Sequence, residues 1–290
     1  MGIDIHALNF LRYTRKKKLF ADTITIGRQA LNVRERVVKA LMSTGPSYKP
    51  HAYCEDILLE YFGATKVDSV DNSDFEAATH IHDMNEPLPH SLCEKFDTVF
   101  DGGCLEHVFN APQALKNCSL LCKPGGQIIH VLPANNLCGH GFWQFSPELF
   151  FSLYSKTNGY SETEVFLADL SDTHRWFRVD QPTNGRRVNV SSSTALYVLV
   201  RTVLQNTRFS HSNVQQSDYI FEWEKTKSFE STPRTPPTSF RDRLKQIPLI
   251  YDWLSPAYRL YLRSMRSNRE TTRLSDRNPG LTMIHIDTCV

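Results

Sequence analysis

The amino-acid sequence predicts an α/β fold, a mostly parallel sheet covered by helices, and three observations lead there. Strand-like and helix-like segments alternate over residues 21–204, the order that builds a parallel sheet through helical crossovers. β-branched or apolar runs such as Thr23 to Ile26 and Gln127 to Leu132 are bounded by glycines, as buried strands are. The composition, 290 residues with 40% hydrophobic and 22% charged, is that of a globular chain with a substantial core.

Asp4 is placed to cap a helix running to Leu11, ahead of the basic run Arg15 to Lys18. Thr23 to Ile26 reads as a strand closed by a tight turn at Gly27. Val33 to Met42 and His51 to Phe62 read as helices around the breaker Ser43-Thr44-Gly45-Pro46. Strands follow at Lys66 to Val70, His80 to His82 and Phe96 to Phe100. Asn110 then caps a helix with Gln113 three residues on and Pro112 in the first turn, and Ala114, Leu115, Cys118, Leu121 and Cys122 recur at helical spacing.

Pro124-Gly125-Gly126 stops that helix, Gln127 to Leu132 is a strand, and a further helix runs from Ser146-Pro147-Glu148 to about Lys156. Glu164 to Ala168 and Ala195 to Thr202 read as two more strands, joined by a polar stretch. The expected division is an N-terminal helical extension (1–20), a main domain (21–204), a polar linker (205–240) and a C-terminal helical extension and tail (241–290). The tail is polar and expected to be mobile.

A net charge of +2 supplies no field that would draw nucleic acid. Apolar runs are too short to span a bilayer, so no integral membrane association is expected. The seven cysteines are scattered without a C-x-x-C pair, which fits reduced thiols in the cytoplasm and neither a disulfide framework nor a zinc knuckle. His80 and His82 with Asp83 have a metal-ligand spacing, but no matching pair occurs elsewhere and no metal site is expected.

Phe96-Asp97-x-Val99, Leu105-Glu106-His107-Val108, a capped helix, and Lys123-Pro124-Gly125-Gly126 before a strand ending in Pro133 follow one another within 38 residues. In this order they resemble the second half of class I S-adenosylmethionine-dependent methyltransferases. Residues 2–160 are also similar to a bacterial branch of methyltransferase-like proteins, through Thr25-Ile26-Gly27-Arg28-Gln29, His82-Asp83-Met84-Asn85-Glu86-Pro87 and the segment Pro133 to Glu148.

The resemblance implies a Rossmann-like methyltransferase fold: a mostly parallel seven-stranded sheet, an antiparallel final strand, and helices on both faces. It implies S-adenosyl-L-methionine as cofactor. Asp71 ends the second strand and takes the ribose hydroxyls, with Asp68 and Asp74 as neighbouring substitutes. Asp83 and the Met84 amide take the adenine, while Asp101 and Gly102 line the sulfonium and acceptor pocket.

The first motif departs from the family. Gly27 stands alone where two or three glycines are usual, and it lies 44 residues before Asp71 instead of the roughly 20 of a simple nucleotide-binding unit. Either Arg28 or Gln29 grips the cofactor carboxylate, or the fold serves as a non-catalytic binding or assembly module.

His140, in the polar loop that follows the fifth strand, and His107 are the candidate bases, with Asn136 and Gln144 as polar aids. Asp101 is either an electrostatic or orienting group or a turn carboxylate. The expected activity is methyl transfer to an oxygen or nitrogen of a small-molecule or glycan acceptor. Residues 205–290 are open to packing on the acceptor site, homodimer formation or another protein contact.

Overall fold

The computed structural model describes residues 2–41, 53–183, 185, 188–206, 214–227, 272–275, 278 and 280–289. A short strand, β1 (Gly2–Ile3), leads into helix α1 (Ile5–Lys17), capped by Asp4, whose Oδ1 accepts from the Ala7 amide at 2.9 Å. α1 runs past the expected end at Leu11 because its buried face continues to Thr14. Arg15, Lys16 and Lys17 fill its last turn, where cations meet the negative end of the helix dipole.

Next come β2 (Ala21–Ile26), β3 (Ala30–Leu31), α2 (Glu35–Leu41), α3 (Glu55–Tyr61), β4 (Ala64–Asp71), β5 (His80–Ile81) and β6 (Phe96–Asp101). They are followed by α4 (Ala111–Leu121), β7 (Cys122–Asn135), α5 (Pro147–Leu153), β8 (Tyr160–Asp169), β9 (Arg175–Val179), β10 (Val190–Ser191) and β11 (Leu196–Leu204). The remaining elements are α6 (Ser217–Lys227), β12 (Thr272–Arg273), β13 (Leu281–His285) and α7 (Ile286–Cys289).

The main sheet has the order β5-β4-β2-β6-β7-β11-β8-β9-β13. β5, β4, β2, β6 and β7 are mutually parallel, and β11 runs antiparallel to both β7 and β8. The seven strands from β5 to β8 are the Rossmann-like methyltransferase architecture, with β11 as the antiparallel final strand. β1 pairs with β3 and β10 with β12 in two small separate ladders.

Two strands beyond the seven correct the sequence reading. β9 lies inside the stretch expected to be a polar connection, and β13 lies inside the tail expected to be mobile; the two pair antiparallel, Leu281 opposite Val179 and His285 opposite Arg175. Pro124-Gly125-Gly126 is likewise not a break before a strand. It is an irregularity within β7, whose pairing with β6 jumps from Phe96–Cys122 to Thr98–Gln127. The helices around the Ser43 to Pro46 breaker are shorter than expected where described, while the breaker itself, the linker motif at 231–238 and the amphipathic stretch at 240–265 lie outside the described residues.

Alternate residues of the central strands feed two cores, so the strands read as continuously apolar. Val99, Ile128, Leu132 and Val198 join Ala114, Leu115 and Cys118 of α4 and Phe150 of α5 on one face. Phe100, Ile129, Val131 and Leu199 join Leu8, Phe10 and Leu11 of α1 and Leu58 of α3 on the other. Phe10 meets Trp176 edge-on at 5.6 Å and Phe166 at 5.8 Å, which ties α1 to the β8–β9 half of the sheet.

The most specific motif residues prove to be fasteners. Lys123 Nζ reaches Asp97 at 2.8 Å and Asp22 at 3.3 Å, joining β7, β6 and β2 at the N-terminal edge of the sheet. Among the described residues no helix is long and apolar enough to cross a membrane.

Candidate active site

β2 is flanked by β4 on one side and β6 on the other. The chain fills the sheet outward from it in both directions, so a topological switch point lies between β2 and β6, where open α/β sheets bind ligands at the strand C-termini. In register, Ile26 lies opposite both Val70 and Asp101. Gly27 therefore stands between Asp71 and Gly102 on this edge.

Gly27 has φ +68° and donates its amide to the Val70 carbonyl at 2.7 Å, the left-handed turn for which glycine is suited. Arg28 is already engaged: its Nε meets Glu55 Oε1 at 2.7 Å, NH1 donates to the Glu76 carbonyl at 2.8 Å, and the guanidinium lies 3.9 Å from the Tyr53 ring centroid. Gln29 is fully buried, donating from Nε2 to the Ile26 carbonyl at 2.7 Å. Its Oε1 is buried without a partner among the described residues. A Cβ on Gly102 would lie 2.8 Å from that oxygen, so Gly102 is held to glycine by contact.

Asp71 ends β4 and accepts the Asn72 amide through Oδ1 at 2.7 Å. Asp68 is buried and paired with Lys66 at 2.8 Å and His80 at 3.1 Å, so it is no substitute for Asp71, and Asp74 lies in the exposed turn after β4. Asp83 Oδ1 accepts both the amide and the side-chain Nδ2 of Asn85, at 2.9 and 2.7 Å, the local turn typical of aspartate.

The Met84 side chain is buried in the core. A residue that sequence reading missed secures this segment: Asn117 of α4, fully buried, donates to the Met84 and Glu86 carbonyls at 3.2 and 2.8 Å and accepts the Leu88 amide. His80 and His82 do not converge with Asp83, since His82 Nε2 approaches the Glu86 carbonyl at 3.3 Å.

Asp101 faces inward and is completely buried. Oδ1 accepts the Cys104 amide at 2.9 Å, and Oδ2 meets Nδ1 of His130, its register partner on β7, at 3.0 Å. His130 Nε2 lies 2.6 Å from the Tyr154 hydroxyl. With Nδ1–H donating to Asp101, Nε2 is left to accept from the Tyr154 hydroxyl. Burial holds the Tyr154 phenol well above its ordinary range, assisted by nearby Tyr160. His130 escaped sequence reading because it sits in an otherwise apolar strand.

Beyond β6, the turn Leu105–His107 places Glu106 beneath the loop that carries His140. The Glu106 carbonyl accepts the Phe142 amide at 2.7 Å and the Trp143 amide at 3.3 Å, and Trp143 Nε1 donates to the Val108 carbonyl at 3.0 Å. Gly141, at φ +75°, comes so close that a Cβ there would lie 2.6 Å from the Glu106 carbonyl oxygen.

The loop is thereby clamped with His140 Nε2 at 3.4 Å and His107 Nε2 at 3.9 Å from Glu106 Oε1, the two rings meeting edge-on at 5.1 Å. Burial raises the Glu106 carboxyl to about 8, with the Asp101 charge adding to it. Partial burial lowers His107, reinforced by His140. These groups, with Gly102, Gly103 and Tyr197, line a cavity of about 240 Å³. Phe109 and Phe142, both exposed, form an edge-on pair nearby at 6.2 Å. Asn136 and Gln144 hold the loop itself, to the Ser192 and Thr194 carbonyls and to the Leu137 amide.

No family model and no curated protein matches the sequence. Among solved structures, the chain is similar to an S-adenosylmethionine-dependent methyltransferase from Thermotoga maritima, with 14% identity over 69% of this chain and 91% of that one and a TM-score of 0.39. It is similar to the N-methyltransferase NodS from Bradyrhizobium japonicum, with 13% identity over 69% and 94% of the two chains and a TM-score of 0.37. A phosphoethanolamine N-methyltransferase from Haemonchus contortus, in complex with S-adenosylhomocysteine, gives 11% identity over 69% and 53% and a TM-score of 0.40.

Proposed function

We propose that the protein is an S-adenosylmethionine-dependent methyltransferase acting on an oxygen or nitrogen of a small-molecule or glycan acceptor. The observation behind this reading is the register at the switch point: the Gly27 turn stands between Asp71 and Gly102 on the C-terminal edge of the strands, and Gly102 lines the cavity that holds Glu106, His107 and His140.

These residues fit the cofactor's chemistry. Asp71 supplies a carboxylate for a ribose diol, and Asp83 with the Met84 amide supplies an edge for adenine. Gln29, rather than Arg28, which is already held by Glu55, the Glu76 carbonyl and Tyr53, offers an unmet buried acceptor suited to an ammonium group. When bound, the cofactor supplies an electrophilic methyl group. The chain's own contribution is alignment and exclusion of water: Gly102 keeps the pocket floor low, the clamp between the Glu106 carbonyl and the His140 loop keeps its wall in place, and Phe109 with Phe142 offers a platform for a flat or sugar ring.

Calorimetric titration with S-adenosylmethionine tests the reading. One site per chain, weakened at least tenfold by Asp71→Ala, is expected, and no binding at millimolar cofactor overturns it. The engagement of Arg28 favours a second reading, a binding module without catalysis. Cofactor binding with no conversion to S-adenosylhomocysteine across hydroxyl- and amine-bearing acceptors would select it.

A further inference from the structure

Glu106, His107 and His140 come from two segments of the chain, yet one carboxylate oxygen and two imidazole nitrogens lie within 4.8 Å of one another. We infer that these three side chains form a binding site for a divalent transition-metal ion on the acceptor side of the cavity.

The Glu106 side chain is 1% exposed and its Oε2 has no hydrogen-bond partner among the described residues. A buried carboxylate oxygen in that condition is costly unless a cation or donor meets it. The two histidines approach the same carboxylate from the open side, with their rings 44% and 54% exposed. Donors around a tetrahedral ion at about 2.1 Å stand roughly 3.4 Å apart. The His140–Glu106 separation of 3.4 Å already matches, and the 3.9 Å to His107 closes with a small rotation of an exposed ring.

The donor set selects the ion. Two imidazoles and a carboxylate suit Zn²⁺, Co²⁺, Fe²⁺ or Mn²⁺, whereas Mg²⁺ prefers oxygen donors alone. Three protein ligands on one side leave at least one coordination position open toward the cavity, as in metal sites that take a substrate oxygen. The ligand for that position is an oxygen donor such as an acceptor hydroxyl. Its use for methyl transfer rests on the reading above, whereas metal binding itself does not.

Metal-free full-length protein, without an affinity tag, is titrated with Co²⁺ and followed by calorimetry and visible absorption. One Co²⁺ per chain with d–d bands is expected, displaced by Zn²⁺ and not by Mg²⁺. Glu106→Gln, His107→Ala and His140→Ala should each weaken binding at least tenfold. Cys138→Ser, two residues from His140 on the same loop, should leave it unchanged. Absence of binding at millimolar Co²⁺, or unaltered affinity in the exposed His140→Ala variant, overturns the proposal. Because the readout is metal binding, a failed metal site and a failed methyltransferase reading are told apart by the cofactor titration.

Discussion

Two carboxylates five residues apart at the end of β6, Asp101 and Glu106, are equally hidden from water and differently treated. Asp101 has every need met, with a turn amide on one oxygen and His130 on the other. Glu106 keeps one oxygen without a partner and faces two exposed imidazoles. Burial alone therefore does not mark a functional acid. The useful distinction is whether the protein finishes its hydrogen bonding, and by that measure Asp101 belongs to the scaffold and Glu106 to the site.

The largest effect is expected at Asp101. Asp101→Ala strands the Cys104 amide and His130 Nδ1 in the interior and should cost about 4 kcal/mol of unfolding free energy by urea denaturation. An unchanged midpoint would return Asp101 to the list of ligand-facing groups.

Glu106→Gln should act in the opposite direction in metal-free protein. With the folded carboxyl raised to about 8, the native state holds its proton more tightly than the unfolded chain, so wild-type stability falls as pH climbs from the ordinary carboxylate range through 8. Ionisation costs about 1.4 kcal/mol for each pH unit, offset by the glutamine amide's own unmet donors. A net gain of about 2 kcal/mol at pH 9, turning into a net loss of about 3 kcal/mol near pH 4 where only the amide's unmet donors count, is the expected pattern in thermal melts. A gain independent of pH would contradict it.

Gly141→Ala sharpens the contrast at the loop. The positive φ and the 2.6 Å approach to the Glu106 carbonyl should cost roughly 1–2 kcal/mol and weaken Co²⁺ binding, because His140 is carried off its partner. The last contrast is a difference in rate and leaves stability untouched. Cys138 is exposed, whereas Cys104, whose amide Asp101 caps, has a thiol that burial raises well above its ordinary range, with the Asp101 charge adding to it. At pH 8 a disulfide reagent should label Cys138 at least a hundredfold faster than Cys104.

Most of the scaffold was legible because its signals are local. The Asn110 cap, the glycine turn at 27 and the β-branched run of β2 each need only their neighbours, and the motif from Phe96 to Pro133 concentrates several of them. β9 escaped because its five residues carry Arg175 and Arg178 in a polar stretch, although it pairs with the adjacent β8, and β13 because its partner, β9, lies far back along the chain. The site was half legible: His107 and His140 could be singled out by chemistry and position, but their convergence on Glu106 depends on backbone bonds from Phe142 and Trp143 that no spacing announces. His130 and Asn117 were invisible for a related reason. A polar residue inside an apolar strand or helix looks accidental until its partner is in view.

β13 also bears on how much this molecule can be altered. As a polymer problem, the connection from Leu204 to Leu281 is a closed loop of about 75 residues, and closure entropy grows only with the logarithm of length, about 0.6 kcal/mol for each doubling. Sequence inserted into that connection outside α6 and β12 should change the chain's length far more than its stability, provided Leu281 to His285 still reaches β9. The sheet's outer edge is thus closed by a strand that distance along the chain does not bar from its place, because closing the connection costs little more as it lengthens.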